Sequence, residues 1–266
     1  MSEGTSTGLV LGLGLLAAGS NLLGGRIALF RPRVAQRHLV HGLAFSGGFL
    51  LAVALLLILP ECLRMTPAAP ALILAGYFLV YFAEHVYAGH AHHVATEPHG
   101  AHPLVGTHGH EGHEGAIARP AATAAAAGLL LHSFFDGAAI AAALASGPYV
   151  GWLTFFAVVL HKVPEGYSLA SIVLSTGGTR RTAGRVAAAL GASSFAGTVT
   201  VLLATRVIAG LEPVCLGIAG GMFLHISATD LLPTTSHVRG LTILGATAAG
   251  ALAVVLAEGL FRLAGF

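Results

Sequence analysis

The chain has 266 residues, 55% of them hydrophobic and only 9% charged, with a mean hydropathy of +0.82. An average soluble domain carries about 25% charged residues, so an ordinary soluble fold is excluded and the composition predicts an all-α integral membrane protein. The formal net charge is only +2, and no block of Lys or Arg occurs. Nucleic acid is therefore excluded as a partner, and the lipid bilayer takes its place.

A membrane-crossing helix needs about 17–25 apolar residues. Eight stretches meet that length, at about 8–29, 42–60, 70–88, 121–145, 149–173, 186–209, 213–234 and 240–261, and they predict one transmembrane domain over 1–266. The first has no basic stretch ahead of it, which argues against a cleaved signal peptide. Arg26, Arg31, Arg33, Arg37, Arg119, Arg180, Arg181, Arg185 and Arg239 fall between alternate spans, against Arg64, Arg206 and Arg262 on the opposite side. The excess of basic residues marks the cytoplasm, so both termini are predicted outside. His38 and His41 begin span two among the arginines and read as ordinary positions.

Span two contains Gly47-Gly48-Phe49-Leu50 and ends at Leu59-Pro60; span seven contains Gly220-Gly221-Met222-Phe223 and ends at Leu232-Pro233. The Gly-to-Pro interval is the same in both. The two spans run in opposite directions, which predicts an inverted-repeat bundle of the kind many secondary transporters use. Glu61 follows Pro60 at the outer end and is placed to attract cations; Glu212 and Glu258 read as interfacial. Cys62 and Cys215 fall at outer helix ends and read as small packing residues, with a disulfide as the alternative.

Glu84 and His85 close span three, where an ion-handing role competes with that of a plain helix terminus. The segment 89–119 follows. It carries His90, His92, His93, His99, His102, His108, His110 and His113 among Gly, Pro and Glu, with too few aromatic or branched residues to offset chain entropy. It is predicted to be a disordered cytoplasmic loop. Neutral imidazoles ligate zinc, copper and nickel, so the loop reads as a metal collector or sensor.

Spans four and five carry the chemistry. His132-Ser133-Phe134-Phe135-Asp136-Gly137 and His161-Lys162-Val163-Pro164-Glu165-Gly166 each place a carboxylate four residues after a histidine. On a helix that spacing stacks both side chains on one face, about 5–6 Å apart at Cβ. Two such faces turned together supply four ligands for a divalent cation, and ionisable residues at membrane depth are functional by default. Pro164 lacks an amide hydrogen and crowds the Leu160 carbonyl, so a kink is predicted there. Imidazole with carboxylate suits Zn²⁺, Fe²⁺, Mn²⁺ or Co²⁺ better than Mg²⁺, and the lack of thiolates argues against Cu⁺. In span seven, His225 and Asp230 lie five apart and read as an exit path or proton-handling pair, or as a structural one.

The paired HSFFDG and HKVPEG segments resemble the signature of the ZIP (Zrt/Irt-like) metal transporters. The resemblance extends to eight spans, outer termini, a His-rich loop after span three and the GG…LP stretches. It implies that His132, Asp136, His161 and Glu165 are transport ligands, and that Zn²⁺, or Fe²⁺, Mn²⁺, Co²⁺ or Cd²⁺, is cargo carried into the cytoplasm, with no prosthetic group. Where many relatives have Asn and an acidic residue, this chain has Ser133 and Lys162, and its sixth span has no carboxylate. Lys162, the only lysine, then takes the place of a second ion, which implies a mononuclear site; a lysine snorkelling to an interface is the alternative. Phe135 replaces a proline found in some relatives, so span four is expected to be straighter. Competing readings are a membrane-embedded zinc hydrolase, with Glu165 as base beside three ligands, and a metal sensor without turnover. Ala, Gly and Arg usage suggests a GC-rich bacterial source and its plasma membrane, and a homodimer is left open.

Overall fold

The computed structural model describes residues 6–30, 32–87, 114–235 and 240–263. Every regular element in them is helical: α1 (Thr7–Phe30), α2 (Pro32–Ala52), α3 (Leu59–Met65), α4 (Ala69–Tyr87), α5 (Glu114–Ser146), α6 (Pro148–Ser175), α7 (Arg180–Val207), α8 (Leu211–His225), α9 (Leu232–Thr235) and α10 (Leu241–Leu263). A six-residue π-helical segment, Val53–Ile58, joins α2 to α3, and another, Ile226–Leu231, joins α8 to α9.

Among the described residues, six runs are long and apolar enough to cross a membrane: Thr7–Phe30, Val40–Met65, Ala126–Ser146, Arg180–Val207, Leu211–Thr235 and Leu241–Phe261. The chain is thus an all-α membrane protein. Two of the eight expected spans fall outside that set for visible reasons. Ala69–Phe82 is a shorter apolar helix, and α6 carries His161, Lys162 and Glu165 in the middle of its 28 residues. The expected loop also ends earlier than 119, because α5 begins at Glu114 and takes in Arg119. The alanine-rich run that follows has high helix propensity and draws the helix back. His90, His92, His93, His99, His102, His108, His110 and His113 lie outside the described residues.

Both π-helical segments sit immediately before Leu-Pro, and their cause is the proline. Pro60 and Pro233 cannot donate to the carbonyl four residues back, and the helix widens to bonds that span five residues. Leu59 donates to the Ala54 carbonyl, and Leu232 to that of Ser227. The two segments are 173 positions apart, as are the prolines.

The same repeat organises the packing. Lipid offers no hydrophobic force between helices, so close association relies on small residues that bring backbones together. A Cβ at Gly48 would run into the Thr247 carbonyl of α10, and one at Gly221 into the Ile73 carbonyl of α4. A Cβ at Gly250 would strike Phe45, and one at Gly76 would strike Ile218. Gly24 faces Val163 as Gly197 faces Phe134, and Gly166 faces Asn21 as Gly137 faces Ser194. Each pair of contacts maps onto its mate by 173 positions between α1 and α7 or α2 and α8, by 174 between α4 and α10, and by 29 between α5 and α6.

The helices sort into two groups. α1, α5, α6 and α7 form one, with α1 and α5 both packed on α7 and α1 on α6; α2 packs on α10 and α4 on α8 in the other. The glycine contacts above all lie within one group. One apolar core cluster draws on both groups, with Leu50, Val53 and Phe223 from the second and Ala157 and Val158 from the first.

Candidate metal centre

The 29-position relation between α5 and α6 superposes His132 on His161, Ser133 on Lys162 and Asp136 on Glu165. Glycine follows each carboxylate, and there the backbone of a third helix comes close, α7 at Gly137 and α1 at Gly166. The two motif faces are thereby pressed together. One ligand atom from each of His132, Asp136, His161 and Glu165 lies within 4.8 Å of the others. Asp136 is the hub: its Oδ2 is 3.1 Å from His132 Nε2 and 3.2 Å from His161 Nε2.

The histidine tautomer is fixed locally. His161 Nδ1 donates to the Ala157 carbonyl one turn back, at 2.8 Å. In the neutral ring Nε2 therefore carries the lone pair, and that lone pair points at a carboxylate oxygen. A cation placed against both atoms would find an electron pair on each. A histidine oriented through its other nitrogen is the arrangement typical of metal ligands. Glu165 Oε1 and His132 Nδ1 are buried without a hydrogen-bond partner among the described residues, so donor capacity remains available at the site.

Lys162 is fully buried and its ammonium is enclosed by oxygen. Nζ donates to Ser133 Oγ at 2.7 Å, to Asp136 Oδ2 at 2.9 Å and to Glu165 Oε2 at 3.2 Å. The side chain does not snorkel. Its charge is held against both carboxylates, and an isolated buried carboxylate would be far costlier than this paired one.

Two contributors were not recognised in the sequence. Asn21, in α1, is fully buried; with its amide nitrogen turned inward it donates to the Lys162 carbonyl at 2.8 Å and to Glu165 Oε2 at 3.2 Å. A lone Asn at membrane depth was the available signal. Ser46, in α2, donates to the Leu160 carbonyl at 3.0 Å. That carbonyl is the one Pro164 deprives of its helical donor. The helix assignment of α6 continues through Pro164, so the effect of the proline that can be traced is this freed oxygen beside His161.

Other candidates stand apart from this group of four side chains. His225 is buried with its ring 4.7 Å from that of Tyr77, and Asp230 lies in the second π-helical segment, accepting from Thr229 Oγ1 at 3.2 Å. Glu84 and His85 lie in α4 near its end, with their side chains outside the described set. Glu61 is paired with Arg64 at 3.0 Å, and both line a cavity of about 480 Å³ that also touches Glu258, Tyr149 and Gly147. Cys62 and Cys215 are free thiols, with Cys62 Sγ donating to the Pro213 carbonyl at 3.4 Å.

Comparison with known proteins decides the family. The model of the ZIP zinc transporter family matches residues 106–258, more than half of the chain and all of both motifs. This chain belongs to the ZIP family. Among curated ZIP proteins it is 35% identical over 109 residues to the zinc transporter ZIP4 of Homo sapiens, covering 41% of this chain and 17% of that protein. It is 32% identical over 114 residues to the zinc transporter SLC39A7 of Sus scrofa, covering 43% of this chain and 24% of the relative. The matched part is thus under a quarter of each of these ZIP relatives.

Proposed function

We propose that the chain carries a divalent metal cation, zinc first, across the membrane into the cytoplasm through a single-ion site between α5 and α6. The observation that carries this reading is the convergence of His132, Asp136, His161 and Glu165 within 4.8 Å at the centre of a helical bundle. Two imidazoles and two carboxylates suit Zn²⁺ and, in a more open geometry, Fe²⁺, Mn²⁺, Co²⁺ or Cd²⁺. Lys162 makes the site mononuclear: its ammonium takes the oxygen cage of Ser133, Asp136 and Glu165 that a second cation would require. Family membership supports transport over hydrolysis, and the zinc named for ZIP4 and SLC39A7 supports the choice of ion.

The finer topology belongs to the same reading. Eight spans, with α4 and α6 included, put an odd number of crossings in each repeat, so α1 to α4 and α7 to α10 run in opposite senses and are related by an axis in the membrane plane. Arginine placement supports termini outside and a cytoplasmic loop after α4; composition supports a bacterial plasma membrane. The test is zinc uptake into proteoliposomes loaded with a zinc-sensitive dye, with Cd²⁺, Mn²⁺ and Fe²⁺ as competitors. Uptake by the native chain that is lost in both Glu165→Gln and Asp136→Asn is the expected result. Stoichiometric zinc binding with no uptake under any ion gradient refutes transport.

A further inference from the structure

Each of the two helix groups is tied internally by polar bonds as well as by glycine contacts. In the first, Ser133 Oγ donates to the Leu190 carbonyl at 3.1 Å, Ser193 Oγ to that of Leu130 at 2.7 Å, and Thr198 Oγ1 to that of Gly137 at 3.1 Å. In the second, Cys62 reaches Pro213, and Gly47 lies against Leu231 and Leu232. Across the apolar boundary between them runs the bond from Ser46 to Leu160. Its donor is buried at 3% exposure and adjoins Gly47, and so is anchored in the second group. Its acceptor adjoins His161, and so is anchored in the first. The acceptor is free because Pro164 has no N–H to fill it.

A site that serves both faces of a membrane must be exposed to each in turn, and rigid-body displacement of one bundle against another is a general means to that end. Apolar faces slide past one another with little change in energy, whereas a buried hydroxyl-to-carbonyl bond is either made or lost. We propose that Ser46 is a positioning residue for metal passage, whose hydroxyl latches the turn before His161 to α2 and holds the two helix groups in the register of this structure. The latch rests on the transport reading. It touches no ligand atom, so it acts on the displacement and leaves binding alone. Each displacement out of this register breaks one such bond, and removing it raises the rate of that step by about three- to tenfold.

The test measures two quantities on Ser46→Ala: initial zinc uptake in proteoliposomes, and equilibrium zinc affinity in detergent by chelator competition. The expected result is uptake at least threefold faster, with affinity within about twofold of the native chain. Ser46→Thr, which keeps the hydroxyl, restores the native rate. Ser46→Cys, close in size with a weaker donor, carries the same expectation as alanine if the alanine variant does not fold. Unchanged or slower uptake, an affinity that moves in step with the rate, or a threonine variant as fast as alanine overturns the latch while leaving the transport reading intact. Zinc binding without uptake in the native chain refutes transport itself, and the latch falls with it.

Discussion

Replacing Lys162 with methionine keeps the aliphatic stem and deletes the ammonium. In zinc-free protein this strands Asp136 and Glu165, whose oxygens now lie 2.9 and 3.2 Å from Nζ, in a site with 1% and 5% side-chain exposure. Removing one partner of a buried ion pair costs about 3–5 kcal/mol. With zinc bound, the metal neutralises the same two carboxylates, so most of that penalty is absent. The thermodynamic cycle then requires the difference to appear as affinity: at about 1.4 kcal/mol per decade, zinc binds about 100- to 1,000-fold more tightly. Chelator-competition titration in detergent measures the affinity, and thermal unfolding with and without zinc measures the two arms separately. The midpoint of zinc-free protein should fall while that of the zinc-loaded form holds. Uptake should slow, since the tighter complex releases its ion less readily. A folded Lys162→Met protein with native or weaker zinc affinity refutes the placement of the ammonium as a competing cation.

The remaining expectations are simpler. Asp136→Asn, which removes the charge of the residue that meets both histidines, should lower zinc affinity at least 100-fold in the same titration, well beyond the loss in Asn21→Ala. Asn21→Ala deletes the amide that steadies Glu165, and supporting residues around metal ligands typically contribute about 10- to 100-fold in affinity. Gly137→Ala would drive a methyl into the Ser194 carbonyl, a backbone collision costing at least about 1–3 kcal/mol and visible as a lowered unfolding midpoint. Gly128→Ala on the same helix meets nothing within 4 Å; there the gain in helix propensity, about 1 kcal/mol, should leave the midpoint unchanged or raised.

How much was legible follows from where each property is encoded. The four clustered side chains could be read because His and carboxylate at helical spacing stand out in apolar sequence, and Lys162 because it is the only lysine. Asn21 and Ser46 escaped since their roles depend on which helix lies across from them, which no local pattern states. The repeat was visible in Gly47–Pro60 and Gly220–Pro233, yet its reach was not: the contacts at Gly24 and Gly197, or at Gly76 and Gly250, involve backbone carbonyls that carry no sequence signature. At Pro164 the expectation was a kink; α6 stays helical through the proline, and the trace left by its missing donor is the freed Leu160 carbonyl. What sequence could not supply was the hydroxyl from another helix that takes up the freed carbonyl. Likewise the loop boundary near 119 moved to Glu114 because helix propensity extends past the limit set by hydropathy.

Finally, the resident ammonium has an electrical consequence. Counting Asp136 and Glu165 as anions and Lys162 as a cation, the site carries one net negative charge when empty and one net positive charge when it holds a divalent ion. On the proposed reading, the loaded and empty steps of a cycle each move one elementary charge in the membrane field, worth about 2.3 kcal/mol per 100 mV. An inside-negative potential favours both: it pulls the loaded site inward and pushes the empty one back out. Without the lysine the loaded site would be neutral, and the voltage would act only on the return.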